Sequence, residues 1–227
     1  MKLMYAWLLA CVCLLNACTP HQPEFKSIDL TGADYAQGFD LVDASGQRRQ
    51  LSDFKGKVVA IFFGYTYCPD VCPTTMGELA MVMNELGKDA DRVQVLFITV
   101  DPERDTPEAL KDYLSNFDPR IIGLTGPRPQ LEPMLREYRI YAKRAPGNGE
   151  DYAVDHTTVV YLMDKNGRFV NAFNVSRKPY EAARELAIGA PIRLPVVDDA
   201  DAQAAGMHLL AHGQSFPSSA AGFSATA

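Results

Sequence analysis

Two cysteines close an apolar run in this chain, Val58-Val59-Ala60-Ile61-Phe62-Phe63-Gly64-Tyr65-Thr66-Tyr67-Cys68-Pro69-Asp70-Val71-Cys72-Pro73. Three residues separate Cys68 from Cys72. That spacing keeps a disulfide in reach, whose alpha carbons stand about 4.4–6.8 Å apart, and also lets both sulphurs face one ion. Thiolates bind soft metals and are the nucleophiles of disulfide exchange, so the pair is suited to metal or redox chemistry. Two buried cysteines can also be plain packing; their place at a strand end, just ahead of a helix, argues for chemistry. Two thiolates alone leave a copper ion under-coordinated, and a neutral nitrogen is the natural third ligand. The chain has four histidines, His21, His156, His208 and His212. His21 falls in a polar leader, and His208 and His212 fall, with Met207, in a tail poor in large apolar residues. Only His156 lies within the folded region. It follows Asp155 and precedes a strong strand, which predicts a loop at a sheet end, with Asp155 or a backbone carbonyl orienting the imidazole.

The elements that must position these groups follow from periodicity. The run from Val58 is short, β-branched and aromatic, and Gly64 closes it, so it reads as a buried strand. Pro73 suits a first helical position, which predicts a helix from there to about Leu86 with Cys72 at its N-terminus, where the dipole favours a thiolate. Met76, Leu79, Met83 and Leu86 fall at helical spacing. The methionines Met76, Met81 and Met83 read as core packing rather than a metal-handling stripe. Residues Val93 to Val100 form a second buried strand ending at Asp101, and strand ends of open α/β sheets are where ligands gather. Thr106 and Pro107 open a helix to about Phe117. Ile121–Thr125 is a short strand, Pro129 to Glu137 a helix, Tyr138 to Lys143 extended, and Pro146 to Asp151 a flexible loop. Strands Thr157–Met163 and Arg168–Phe173 flank an Asn-Gly turn, and Phe39–Val42 and Arg48–Leu51 flank a Ser-Gly turn. A helix from Tyr180 to about Ile188 closes the domain. This order predicts a thioredoxin-like α/β fold, a central mixed sheet flanked by helices with an N-terminal hairpin extension.

With 227 residues and 47% hydrophobic content the chain supports one core of ordinary size, and its net charge of -6 offers no basic field for nucleic acid. Residues 1–17 join one lysine to an apolar stretch too short to span a bilayer comfortably, the pattern of a secretory signal. Leu15-Asn16-Ala17-Cys18 resembles a bacterial lipobox, although Asn16 is less usual than a small residue there. Cys18 is the candidate lipidation site, with ordinary cleavage or a retained short anchor as alternatives. Cleavage before Cys18 would remove Cys11 and Cys13 and leave Cys68 and Cys72 as the only thiols of the mature domain. Residues 18–24 read as a tether, 25–195 as the domain, and 196–227 as a disordered tail.

The runs Phe63–Thr75 and Val100–Pro107 and the pair Asp155-His156 together resemble the Sco/SenC family, over roughly Gly38 to Ala190. The resemblance implies a membrane-tethered, thioredoxin-like protein of the bacterial periplasm that binds one copper ion through Cys68, Cys72 and His156. It implies a partner in the apo copper-A subunit of cytochrome c oxidase, served by delivering copper, by reducing the subunit's cysteines, or both. An upstream copper donor and a thiol reductant are then required. Many relatives carry histidine where this chain has Tyr67, which leaves His156 as the only domain imidazole. Tyr65 and Tyr67 are candidates to shield the site, and Asp101 to position the site or a partner. A thiol-disulfide reductase would need Cys68 and Cys72 as catalytic residues but not His156. A peroxiredoxin-like enzyme would share the fold and need a cysteine that forms a sulfenic acid.

Overall fold

The computed structural model describes residues 28–29, 33–146 and 152–173, and three helical positions, Ala182, Ala183 and Leu186. The chain divides into two units, Met1–Ile192 and Arg193–Ala227, and every described residue belongs to the first. The leader with Cys18, the tether with His21, residues 147–151, most of the expected Tyr180–Ile188 helix, and the tail with His208 and His212 lie outside the described residues.

Continuous apolar sequence builds the middle of the sheet. Strands β4 (Val58–Gly64) and β5 (Val93–Thr99) are buried at every position and pair in parallel, from Val58 opposite Val93 to Gly64 opposite Thr99. Strand β6 (Ile122–Thr125) continues in parallel beside β5. Such strands are covered on both faces, so they show no alternation. Gln94, a polar residue inside β5, donates to the Arg120 carbonyl at 2.7 Å and is not stranded. On the other side of β4 run antiparallel β9 (Val160–Met163), β10 (Phe169–Phe173) and β1 (Ile28–Asp29). The expected hairpin, β2 (Asp40–Asp43) and β3 (Arg48–Gln50), extends the same sheet by pairing β2 with β6. Its turn needs Gly46, whose φ is +79°, and the Asp43 carboxylate accepts from the amides of Ser45 and Gln47. The order among described strands is β1-β10-β9-β4-β5-β6-β2-β3.

Helices α1 (Val71–Leu86), α2 (Pro107–Leu114) and α3 (Arg128–Glu137) follow β4, β5 and β6. Helix α1 buries Met76, Leu79, Val82, Met83 and Leu86, while Met81 is 49% exposed. Met76 and Met83 are therefore core and the three methionines line no common face. Thr106 caps α2, its hydroxyl accepting from the Ala109 amide. The expected start of α1 at Pro73 is two residues late: Val71 and Cys72 are already helical. A proline is harmless anywhere in the first turn, where the amide it lacks would have no partner inside the helix.

The expected Thr157–Met163 strand is shorter, beginning at Val160, and the expected extended stretch from Tyr138 yields only β7 (Ala142–Arg144). Strand β7 pairs with β8 (Val154–His156) in a ribbon that is separate from the main sheet, with Ala142 opposite His156. His156 thus lies on a short strand rather than the predicted loop.

Candidate metal centre

The sulphurs are fixed by the junction of the buried strand and the helix. After Gly64 the chain turns, the Cys68 amide donating to the Tyr65 carbonyl at 3.2 Å, and α1 begins three residues later. Asp70 occupies the cap position but its side chain makes no capping bond. The Cys68 sulphur takes that part instead, accepting from the Cys72 amide at 3.4 Å. Cys72 is fully buried, Cys68 8% exposed and His156 more exposed than either, so the site is reached from the side of His156 and Cys68. The Cys72 sulphur has room because residue 64 is glycine: a Cβ there would come within 2.9 Å of it.

The imidazole arrives on β8. Its Nε2 lies 3.4 Å from the Cys72 sulphur, and its Nδ1 lies 2.9 Å from the Thr157 carbonyl oxygen. A carbonyl only accepts, so Nδ1 carries a proton, and the ring turns Nε2 toward the thiols. Of the two orienting partners considered, the backbone carbonyl is the one used; Asp155 is exposed. The ring meets Tyr65 and Phe62 edge-on, with centroids 5.7 and 6.1 Å away. Tyr65 is buried and its hydroxyl accepts from the Val154 amide, which ties the ribbon to the cysteine segment. Tyr67 is 63% exposed, with its ring centroid 4.6 Å from the Arg104 guanidinium carbon.

One ligand atom from each of Cys68, Cys72 and His156 lies within 4.8 Å of the others. Three donors held about 2.0–2.3 Å from one ion would stand roughly 3.7–4.0 Å apart, so shifts of under an ångström would complete such a site. The two thiols are electrostatically unequal. A hydrogen bond from the Cys72 thiol is the chief cause that holds Cys68 well below the ordinary thiol range, against burial, and His156 and the amides of Cys72 and Asp70 add to it. The same bond, with burial, pushes the Cys72 thiol up, and the charge of Asp105 adds to that. Both shifts run in the direction that makes Cys68 the more acidic thiol of the pair.

Asp101, singled out by its strand-end position, meets neither thiol: its carboxylate accepts from Arg104 and from the Tyr152 hydroxyl. The carboxylate that supports the site is Asp105, fully buried, which accepts from the Thr66 amide and from the hydroxyls of Thr66 and Thr99 at 2.6 Å each. Burial is the main reason its pKa is raised. Sequence reasoning missed it, although Asp105 lies in the same strand-end segment, immediately before the Thr106 cap.

Comparison with known proteins fits this arrangement. The SCO1/SenC family model matches residues 29–188. The chain belongs to the SCO1/SenC family. The copper-bound structure of Bradyrhizobium japonicum ScoI is 49% identical, with a TM-score of 0.64 over 67% of this chain and 97% of that one. Copper-bound yeast Sco1 is 36% identical with a TM-score of 0.64, over 72% of this chain and 92% of that one. The mitochondrial SCO1 homolog of Homo sapiens is 38% identical over 152 residues, 66% of this chain and 50% of that protein. The mitochondrial SCO2 homolog of Danio rerio is 41% identical over 151 residues, 65% of this chain and 54% of that protein. This chain therefore spans about half the length of those two mitochondrial relatives, whereas it spans 84% of a SCO2-like protein of Rickettsia conorii, at 35% identity. The SCO1/SenC fold is thioredoxin-like, with the mixed sheet and flanking helices described above.

Proposed function

We propose that this protein is a copper metallochaperone that holds one copper ion between Cys68, Cys72 and His156 and supports assembly of the copper-A centre of cytochrome c oxidase. The observation that carries the reading is the meeting of two sulphurs and one imidazole nitrogen within 4.8 Å. Thiolate and imidazole suit copper in both oxidation states. Solved relatives hold copper, among them ScoI of Bradyrhizobium japonicum and yeast Sco1. Copper is cargo here: His156 and Cys68, the donors nearer the surface, are the ligands that an acceptor's thiolate can displace first, and the fully buried Cys72 retains the ion until the exchange is under way. The acceptor is the apo copper-A subunit, and an upstream donor loads the site. A lipid on Cys18, in the mature bacterial protein, holds the domain at the periplasmic face of a membrane. No helix of the described residues is long and apolar enough to cross one.

The test is metal uptake by the purified, reduced protein. It should bind one copper per chain, and His156→Ala should weaken retention by more than the roughly 10–100-fold that loss of an outer hydrogen-bond partner costs. An unchanged affinity in His156→Ala would remove the imidazole from the site.

The inequality of the thiols favours a second reading, a thiol-disulfide reductase acting on the partner's cysteines. The Cys68 thiolate attacks a partner disulfide, forms a mixed disulfide and expels one partner thiolate, which takes up a proton. Cys72 then loses its proton and attacks the Cys68 sulphur, releasing the second partner thiol. The protein is left with a Cys68–Cys72 disulfide, having given up two electrons, and a small thiol or dithiol reductant must restore it. His156→Ala with full biological function would favour this route over metal delivery.

A further inference from the structure

The ribbon that carries His156 makes no ladder with the main sheet among the described residues, so the distance from imidazole to sulphurs must be set by side chains. The contacts that span the gap converge on Arg104, in the turn between β5 and α2. Its side chain is only 12% exposed, and its Nε donates to the Asp101 carboxylate. Its guanidinium carbon lies 5.7 Å from the Tyr65 ring centroid and 4.6 Å from that of Tyr67, the aromatic residues just ahead of Cys68. It lies 3.6 Å from the ring centroid of Tyr152, which leads into β8. The Tyr152 hydroxyl donates to the other Asp101 oxygen at 2.6 Å, so Arg104 and Tyr152 share one buried carboxylate. Arg144, on β7, stands 3.6 Å from the same ring. Two guanidinium groups cannot occupy one position at that distance, so they take opposite faces and Tyr152 is clamped between them. The stack runs from the cysteine segment through Arg104 and Tyr152 to both strands of the ribbon.

We infer that Arg104 is a positioning residue that fixes the histidine ribbon against the cysteine segment and so sets the third donor of the site. It acts through Tyr65, Tyr67 and Tyr152 and touches none of the three donor atoms. The role needs a flat cation that can lie on rings while one nitrogen binds a carboxylate, which guanidinium provides and ammonium does not. The inference rests on the proposed metal site for its copper readout and stands without it for the position of the ribbon.

Both are tested in the full chain with Arg104→Met. In the metal-free reduced protein, hydrogen exchange at the Val154 amide, which donates to the Tyr65 hydroxyl, is expected to quicken about tenfold. Nuclear Overhauser contacts between the His156 and Tyr65 rings should weaken, while amides of β4 and β5 keep their protection. With Cu(II) added, both cysteines still bind but the imidazole nitrogen hyperfine signal should fade toward that of His156→Ala. Arg104→Lys, which keeps charge without the plane, should restore only part of either signal. Unchanged ribbon exchange and ring contacts in Arg104→Met overturn the inference. If that variant does not fold, Tyr152→Leu decides, since it removes the stack from the ribbon side and should give the same exchange and hyperfine changes; wild-type values there overturn it equally. A wild-type protein that binds no copper, with quickened exchange in Arg104→Met, would sink the copper reading and leave the inference standing.

Discussion

The two halves of the site are built in opposite ways. The sulphur half sits where a strand buried along its whole length meets a long helix, and Cys72 is as deep in the core as Phe62 or Met76. The imidazole half is a ribbon of two three-residue strands, joined to each other beyond their ends by a pair of hydrogen bonds between Tyr141 and Thr157 and attached to the cysteine segment through Tyr65 and the Arg104 stack. Folding the core positions the thiols outright, whereas the third donor depends on a few discrete contacts. A site of this kind keeps two ligands fixed and can adjust the third.

Breaking each half should therefore have unequal consequences. Met76→Ala, one turn beyond Cys72, removes a fully buried side chain and is expected to cost about 2–5 kcal/mol, read from urea unfolding. Val154→Ala in the ribbon should cost no more than about 1.6 kcal/mol, two methylene equivalents. Equal losses would show the ribbon to be as integral as the helix. Gly64→Ala should come next, at about 1–3 kcal/mol of overpacking. Its new Cβ meets the Cys72 sulphur and the Phe62 ring at 2.9 Å, so copper retention should fall with stability.

Charge sharpens the contrast within the sulphur half. Asp105 has its folded pKa raised by burial, so its contribution to stability is full below the unfolded value of about 3.9 and is lost as pH rises through the folded value. Asp105→Asn removes that loss. The difference in unfolding free energy, wild type minus variant, should fall as pH rises above about 4, and a flat difference would contradict the assignment. Cys68, with its pKa depressed, contributes stability that is present above the unfolded thiol value of about 8.5 and lost as pH falls through its folded value. Near pH 6.5 iodoacetamide should label Cys68 and spare Cys72; equal labelling would erase the inequality. The smallest effect is expected from Thr157→Val, which removes the hydroxyl that accepts from the Tyr141 amide at 3.0 Å. About 0.5–1.5 kcal/mol should be lost, visible as faster exchange at that amide alone.

What the sequence disclosed tracks the same division. The apolar run from Val58, the turn glycine of the hairpin, the Thr106 cap and the cysteine pair each carry a local signal, and each is where periodicity puts it. The ribbon carries a signal on one strand only: part of β7 falls in the stretch read as extended, but Val154-Asp155-His156 is too short to alternate visibly, so it reads as loop although it is strand. Which of two buried acidic residues four apart supports the cysteine segment is likewise a matter of three-dimensional contacts. Asp101 engages Arg104 and Tyr152, whereas Asp105 meets Thr66 and Thr99.

The carbonyl of Thr157 has an effect on timing. By accepting from Nδ1, it turns Nε2 toward the thiols before any ion arrives. An ion captured there would meet a ring already facing it, so capture would wait on small shifts of the donors rather than on a reorientation of the imidazole.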